Sequence, residues 1–184
     1  MRVISGYLKG KKILFPDSKK TRPLRDFVKE SMFNSIDHSN KIDVVIKKSK
    51  ILDLYSGIGS FGIECLSREA KSVTFVENDN KAISLLSKNL KALNVEKKIY
   101  LFPKRIESFL NSNKEKFDII FLDPPFAEDN FIKELRLIKT LKIYNKNHLI
   151  ILHRESKTKD DLKGILKILF EKKYGRSKII FSTF

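Results

Sequence analysis

Two short stretches of this 184-residue sequence combine residue types that can do chemistry. One is Asp123-Pro124-Pro125-Phe126, placed directly after the apolar run Phe117–Leu122. Two successive prolines fix φ and remove two backbone donors. They also push Asp123 into an extended conformation. The product is a stiff loop that displays one carboxylate, free carbonyls and one aromatic ring. Such a loop suits a planar base bearing an exocyclic amine. The Asp123 carboxylate and the Pro124 carbonyl accept its N–H bonds, and Phe126 stacks on its ring. The other stretch runs from Asp53 to Gly62, with Gly57, Gly59 and Gly62 in a G-x-G-x-x-G pattern. Glu77 follows Gly57 by 20 residues, at the close of the next apolar run. A carboxylate there can accept hydrogen bonds from both ribose hydroxyls, which fits a nicotinamide dinucleotide and equally any other adenosine ligand. A nicotinamide enzyme has no use for the Asp-Pro-Pro-Phe loop, so that loop decides between the ligands.

These motifs need elements to hold them. From Lys50 onward, short apolar runs alternate with helical patterns. Strands are expected at Ile51–Tyr55, Val73–Glu77, Ile99–Phe102, Phe117–Leu122 and Leu149–Leu152, with helices at Phe61–Ser67, Ala82–Leu93, Ile106–Leu110 and Phe131–Leu141. The last 20 residues read as a hairpin, Ile165–Phe170 and Ile179–Phe184 around Tyr174-Gly175. The pattern implies an α/β fold with a doubly wound, mostly parallel seven-stranded sheet and helices on both faces. Ligands of such sheets bind beyond the carboxyl ends of the strands, where both motifs fall. Before this domain, residues 1–20 read as a hairpin. A helix is then expected to open at Thr21-Arg22-Pro23 and to carry Leu24, Phe27, Val28, Met32, Phe33 and Ile36 on one face. Residues 37–49 look like a polar connection. The chain thus divides into a hairpin-and-helix extension, 1–48, and a main domain, 49–184.

Charge and cysteine content narrow the class. Thirty-eight basic and 22 acidic residues give a net charge of +16, which favours a polyanionic partner such as nucleic acid. Lysine outnumbers arginine 30 to 8, as an AT-rich genome would produce. Such a bias would spread evenly, yet residues 1–50 carry net +8 and residues 51–150 only +3. One cysteine, Cys65, excludes an internal disulfide and a cysteine-cluster zinc site. His38, His148 and His153 have no metal-ligand spacing, His148 and His153 flank the fifth strand and read as structural, and Cys65 reads as core; no metal is expected. No apolar run approaches the roughly 18 residues of a membrane span. The N-terminus lacks the apolar stretch of about 7–15 residues that marks a signal peptide. A cytoplasmic protein is expected, or an organellar one whose presequence lies outside this chain.

The glycine loop together with Asp-Pro-Pro-Phe resembles the class I S-adenosylmethionine-dependent methyltransferases of exocyclic amines. The chain as a whole is similar to the RsmD family, which methylates N2 of a guanine in 16S ribosomal RNA. Arg2 to Gly6 with Lys9, Gly10 and Lys11, then Arg22-Pro23, Glu30, Phe33 and Asn34, carry the specific part of the likeness. Leu52-Asp53 through Gly59, Gly62, Glu64, Phe75 to Glu77, Asp123 to Phe126 and Tyr174-Gly175 carry the rest.

The resemblance implies a Rossmann-like class I methyltransferase fold and S-adenosylmethionine as cofactor. It places Asp53, Ser56, Gly57, Gly59 and Phe61 around the cofactor, Glu77 on its ribose and Asn78 near its adenine. Asp123 also faces the cofactor. Arg105 and Ile106 stand at the adenine edge, where the family has an acidic or amide residue. Asp123, Pro124 and Phe126 are the catalytic candidates, with Pro125 and Phe126 against the RNA. Lys9, Lys11, Arg22 and Arg25 are candidate phosphate contacts. The implied partner is ribosomal RNA or the small (30S) subunit in assembly, met by a monomer. A DNA adenine-N6 methyltransferase shares this kind of loop but needs a recognition domain for which 184 residues leave little room. The basic charge argues against a protein-glutamine methyltransferase, and the intact acids against an inactive RNA binder.

Overall fold

The computed structural model describes residues 1–15 and 26–184. Seven strands form one sheet: β1 (Lys50–Leu54), β2 (Ser72–Glu77), β3 (Ile99–Pro103), β4 (Phe117–Leu122), β5 (Tyr144–Glu155), β6 (Lys167–Tyr174) and β7 (Ser177–Thr183). Their order is β3-β2-β1-β4-β5-β7-β6. All pairings are parallel except those of β7, which runs antiparallel to both β5 and β6. The helices are α1 (Asp26–His38), α2 (Ser60–Ser67), α3 (Asn80–Ala92), α4 (Ile106–Ser112) and α5 (Asn130–Leu141).

Alternation along the strands sorts the core into two layers. Ile51, Val73, Phe75, Ile119 and Phe121 face α1, α2 and α3 through Met32, Phe33, Phe61, Leu86 and Leu90. Leu52, Leu54, Val76, Ile120 and Leu122 face α4 and α5 through Phe109, Leu110, Phe131, Leu135 and Ile138. The inner strands are therefore apolar on both faces, as a covered parallel sheet requires. The chain winds outward from β1 to β3, then crosses back to β4 on the other side of β1. The boundary between β1 and β4 is the point where the winding reverses and the adjacent crossovers part. A crevice forms there.

Several expectations need correction. β5 is much longer than Leu149–Leu152 and takes in both His148 and His153. Its first half holds Asn145, Lys146 and Asn147, side chains that do not announce a strand. β6 begins and ends later than expected, because it is an edge strand whose exposed lysines mask the apolar alternation. Among the described residues the N-terminal hairpin is a compact turn with one isolated bridge, Arg2 to Lys12, and no extended ladder. Residues 37–49 are not simply a polar connection: Asp37 and His38 finish α1, and Val44 and Ile46 are buried in the core. The expected helix opening at Thr21-Arg22-Pro23 lies outside the described residues.

The N-terminal turn and α1 are docked firmly. Lys29 and Glu64 are both fully buried, with Nζ 3.3 Å from Oε2. Lys29 also donates to the Arg2 carbonyl at 2.8 Å. Glu64 accepts from the Ile4 and Ser5 amides at 2.8 and 2.9 Å. One buried ion pair thus ties the first residues, α1 and α2 together. Among the described residues no helix is long and apolar enough to cross a membrane.

Candidate functional site

The glycine loop leaves the carboxyl end of β1. Gly57 sits at φ 54°, and a Cβ built on it would meet nothing within 4 Å. It therefore combines a left-handed backbone with open space above it, as a loop does that lets a ligand approach its backbone. Gly62 answers a different need: a Cβ there would lie 2.3 Å from the Phe75 ring, so only glycine lets α2 pack this close to β2. Asp53 is buried, and its Oδ2 accepts the Gly62 amide at 3.0 Å. Burial pushes the Asp53 carboxyl well above the usual carboxylate range; the Gly62 amide opposes this, and the Asp123 and Glu77 charges add to it.

Glu77 holds the loop from β2. Its Oε2 accepts the Gly57 amide at 2.7 Å, and its Oε1 accepts the Asn78 and Asp79 amides at 2.8 and 2.9 Å. A carboxylate has about four lone-pair sites, so this acid can pin the loop and still accept a ribose hydroxyl. Ser56 completes the turn. Its amide donates to the Val76 carbonyl at 3.2 Å. Its buried hydroxyl has no partner, alone in this respect among buried side-chain polar atoms of the described residues.

Asp123 leaves β4 one residue beyond the Leu122–Leu152 pair. Its amide reaches the Leu54 carbonyl at 3.5 Å, which joins the two motifs across the crevice. Two residues of β5 hold the Asp-Pro-Pro-Phe loop. His153 Nδ1 lies 2.8 Å from Asp123 Oδ1, and Nε2 lies 3.0 Å from the Ser177 hydroxyl. Arg154 is 1% exposed and donates to the carbonyls of Pro125 and Phe126, both at 3.2 Å. Its guanidinium also pairs with Asp160 at 3.1 Å and lies over the Phe131 ring. The Phe126 ring is half-buried and meets His153 edge-on, with centroids 5.5 Å apart. Sequence reasoning missed both His153 and Arg154. The signal that would find them is the register of β5 on β4, which sequence does not carry.

Beside the crevice opens a cleft of about 620 Å³, which brings together Glu77, Asn78, Arg105 and Ile106 with Tyr55, Glu128 and Glu134. Arg105 is exposed at the N-cap of α4, and Ile106 is buried. The Tyr55 hydroxyl donates to Glu134 at 2.6 Å. Burial first, then Glu134, raises the phenol; burial raises the Glu134 carboxyl in turn. Phe61 is a correction. Its side chain stacks between Phe33 and Phe121, at 5.3 and 4.1 Å, and belongs to the core rather than to a cofactor surface. Lys9 and Lys11 are exposed on the N-terminal turn. The turn bonds to Ser67 through Tyr7 and Leu8, at the end of α2 remote from the glycine loop. The tip of the turn is therefore one helix length, about 12 Å for eight residues, from the crevice, while its base returns to the start of α2, where the Ser60 hydroxyl donates to Met1 Sδ at 3.0 Å. Arg22 and Arg25 lie outside the described residues.

Comparison with known proteins now has a geometry to meet. Residues 1–183 match the family described as Conserved hypothetical protein 95. Ribosomal RNA small subunit methyltransferase D of Buchnera aphidicola is 32% identical over 155 residues, 84% of this chain and 78% of that protein. Its namesake from Haemophilus influenzae is 38% identical over 153 residues, 75% of this chain and 76% of the relative. The chain belongs to this family, the RsmD family. The solved structure of YhhF from Escherichia coli, 27% identical, superposes with a TM-score of 0.85 over 99% of this chain and 96% of that one. The sheet is thus that of the class I methyltransferases.

The resemblance implies S-adenosylmethionine as cofactor, a ligand that carries a sulfonium and an ammonium. Features of this chain fit it. Asp53, Glu77 and Asp123 gather negative potential at one sheet edge of a strongly basic protein. The buried Ser56 hydroxyl has no partner among the described residues, and the space above Gly57 is open.

Proposed function

We propose that the protein transfers a methyl group from S-adenosylmethionine to the exocyclic N2 of a guanine in small-subunit ribosomal RNA. The observation that carries this reading is the pair of acceptors at the crevice. Asp123 Oδ2 and the Pro124 carbonyl take no hydrogen bond among the described residues, and they stand next to the glycine loop. When bound, the cofactor supplies an activated methyl on sulfur. Asp53, Ser56, Gly57 and Gly59 would hold its amino-acid end, Glu77 its ribose, and Asn78 with Arg105 and Ile106 its adenine.

The residues of the chain do the rest. The lone pair of a guanine N2 is delocalised into the ring, which makes it a poor nucleophile. Hydrogen bonds from both N–H groups to Asp123 and Pro124 favour a pyramidal nitrogen with a localised pair. Phe126 stacks on the base, a contact worth about 1–3 kcal/mol. Positioning supplies much of the rate: holding reactants in near-attack geometry can contribute roughly 7–11 kcal/mol. The base is taken unstacked, since its amine is unreachable inside a helix. We assign residues 1–48 to RNA contact, with Lys9 and Lys11 on phosphates flanking the target rather than at it. The site of action is the cytoplasm, where the small subunit assembles.

The test is methyl transfer to unmodified small-subunit rRNA, 30S particles and duplex DNA in parallel, followed by digestion to nucleosides and mass spectrometry. N2-methylguanosine from rRNA or 30S particles is expected. N6-methyladenine from the DNA would overturn the substrate. Asp123→Ala is expected to abolish transfer and leave cofactor binding intact; wild-type turnover by that variant would overturn the mechanism.

A further inference from the structure

We infer that His153 is a positioning residue for methyl transfer: it takes up one oxygen of Asp123 and so fixes which atom is presented to the substrate amine. The inference rests on the reading of Asp123 given above. Asp123 follows β4 directly and His153 lies in the adjacent parallel β5, each one residue beyond the Leu122–Leu152 pair. The imidazole is held at both nitrogens, by Asp123 at 2.8 Å and by Ser177 at 3.0 Å, and its side chain is 8% exposed. The Asp123 side chain is 36% exposed. A carboxylate that open, unrestrained, would rotate about its last torsion and offer either oxygen. The His153 bond removes that freedom. The Ser177 hydroxyl can donate to Nε2 or accept from it, so the latch closes with a neutral imidazole or an imidazolium.

Arg154, the next residue, points to the other face of the sheet and complements this. It occupies the Pro125 and Phe126 carbonyls and leaves that of Pro124. Counting the Asp123 side chain and the carbonyls of the three residues that follow it, two acceptors take no hydrogen bond among the described residues, the second oxygen of Asp123 and the Pro124 carbonyl. That is one for each N–H of an NH2 group. The end of β5 thus shapes an amine site by occupying one carboxylate oxygen and the Phe126 carbonyl and by sharing the Pro125 carbonyl with the Glu128 amide, 3.0 Å away.

The test compares His153→Leu, His153→Asn and His153→Gln on unmodified 30S particles with labelled S-adenosylmethionine. Cofactor Kd and thermal unfolding are measured on each variant. His153→Leu is expected to lower kcat roughly 100-fold, the effect of a misplaced reacting group, with cofactor Kd unchanged. His153→Asn places an amide donor near the position of Nδ1 and is expected to restore most of the activity. His153→Gln reaches the Ser177 side instead and is expected not to. Wild-type kcat in His153→Leu, or equal loss in the Asn and Gln variants, overturns the inference. If His153→Leu fails to fold, the contrast of Asn with Gln decides alone. Asp123→Ala run alongside separates the two readings. Activity in that variant sinks the assignment of Asp123 itself, whereas an inactive Asp123→Ala beside an unimpaired His153→Leu sinks only the latch.

Discussion

Replacing Arg154 by methionine tests how the substrate loop is held. The guanidinium pairs with Asp160, which is itself nearly buried, and donates to the Pro125 and Phe126 carbonyls. Breaking a buried ion pair by removing one partner costs about 3–5 kcal/mol, because the other charge is left uncompensated. Asp160 is not wholly abandoned. The Thr158 hydroxyl donates to its Oδ2 at 3.0 Å, and Lys178 Nζ stands 3.9 Å away. Methionine also keeps much of the arginine stem packed against Phe131. Both considerations put the expected loss at the lower end, about 3 kcal/mol. For a chain of this length that is a fall in Tm of about 6–12 °C. Calorimetry or far-UV melting measures it directly. Arg154→Lys should fare little better, since a single ammonium cannot span two carbonyls and a carboxylate in the planar fork that Arg154 uses. A loss under 2 °C in Arg154→Met would refute the reasoning, because it would mean that Asp160 is satisfied without the guanidinium. So would full stability in Arg154→Lys.

Two further outcomes are expected. Ser56→Ala should weaken cofactor binding about fivefold, the worth of one hydrogen bond of roughly 1 kcal/mol, without loss of stability, since the buried hydroxyl has no partner to lose; unchanged affinity by titration calorimetry would argue against Ser56 as a cofactor contact. Burial lowers the Lys29 ammonium below its ordinary value of 10.5, against the pull of Glu64. The unfolded chain then binds that proton more tightly than the native state, so the Lys29 contribution to stability is present above pH 10.5, is lost as pH falls through the lowered value, and gives a positive slope between the two. In urea titrations across this range, the difference between wild type and Lys29→Met should carry that slope, and a flat difference would show that the ammonium feels no net cost of burial.

What sequence revealed, and what it hid, follow from how each feature is encoded. The inner strands announced themselves because both their faces are covered, which leaves continuous apolar runs such as Phe117–Leu122. Asp53, Glu77 and Asp123 could be placed on one edge because each stands at the carboxyl end of such a run. Phe61 shows the limit. A residue just inside a helix after a glycine loop can face the ligand or the core, and Phe33 and Phe121, remote in sequence, decided for the core. Glu64 stood out only through its place in the family pattern. Its burial with Lys29 and the Ile4 and Ser5 amides comes from the docking of a segment about 60 residues away. His153 looked structural because it lies near the end of an apolar strand and lacks ligand spacing. Its meaning comes from the register of β5 against β4, a fact of pairing that no local pattern records.

The three carboxylates at the sheet edge differ in what they have left to give, and that difference assigns their work. Asp53 is buried, spends one oxygen on the Gly62 amide, and has its carboxyl pushed above the usual range by that burial. It therefore suits a cationic ligand whose arrival would draw the charge out. Glu77 spends both oxygens on three backbone amides, so it fixes the loop first and binds with what remains. Asp123, like Glu77, is partly exposed, but only one of its oxygens is tied, by His153. An acceptor for a substrate amine must be reachable, directional and incompletely satisfied. Among the three, Asp123 is the carboxylate that meets all of these conditions. A strongly basic protein thus keeps a small acidic edge in which one acid is buried under the loop, one holds the loop through three amides, and one keeps an oxygen without a partner among the described residues.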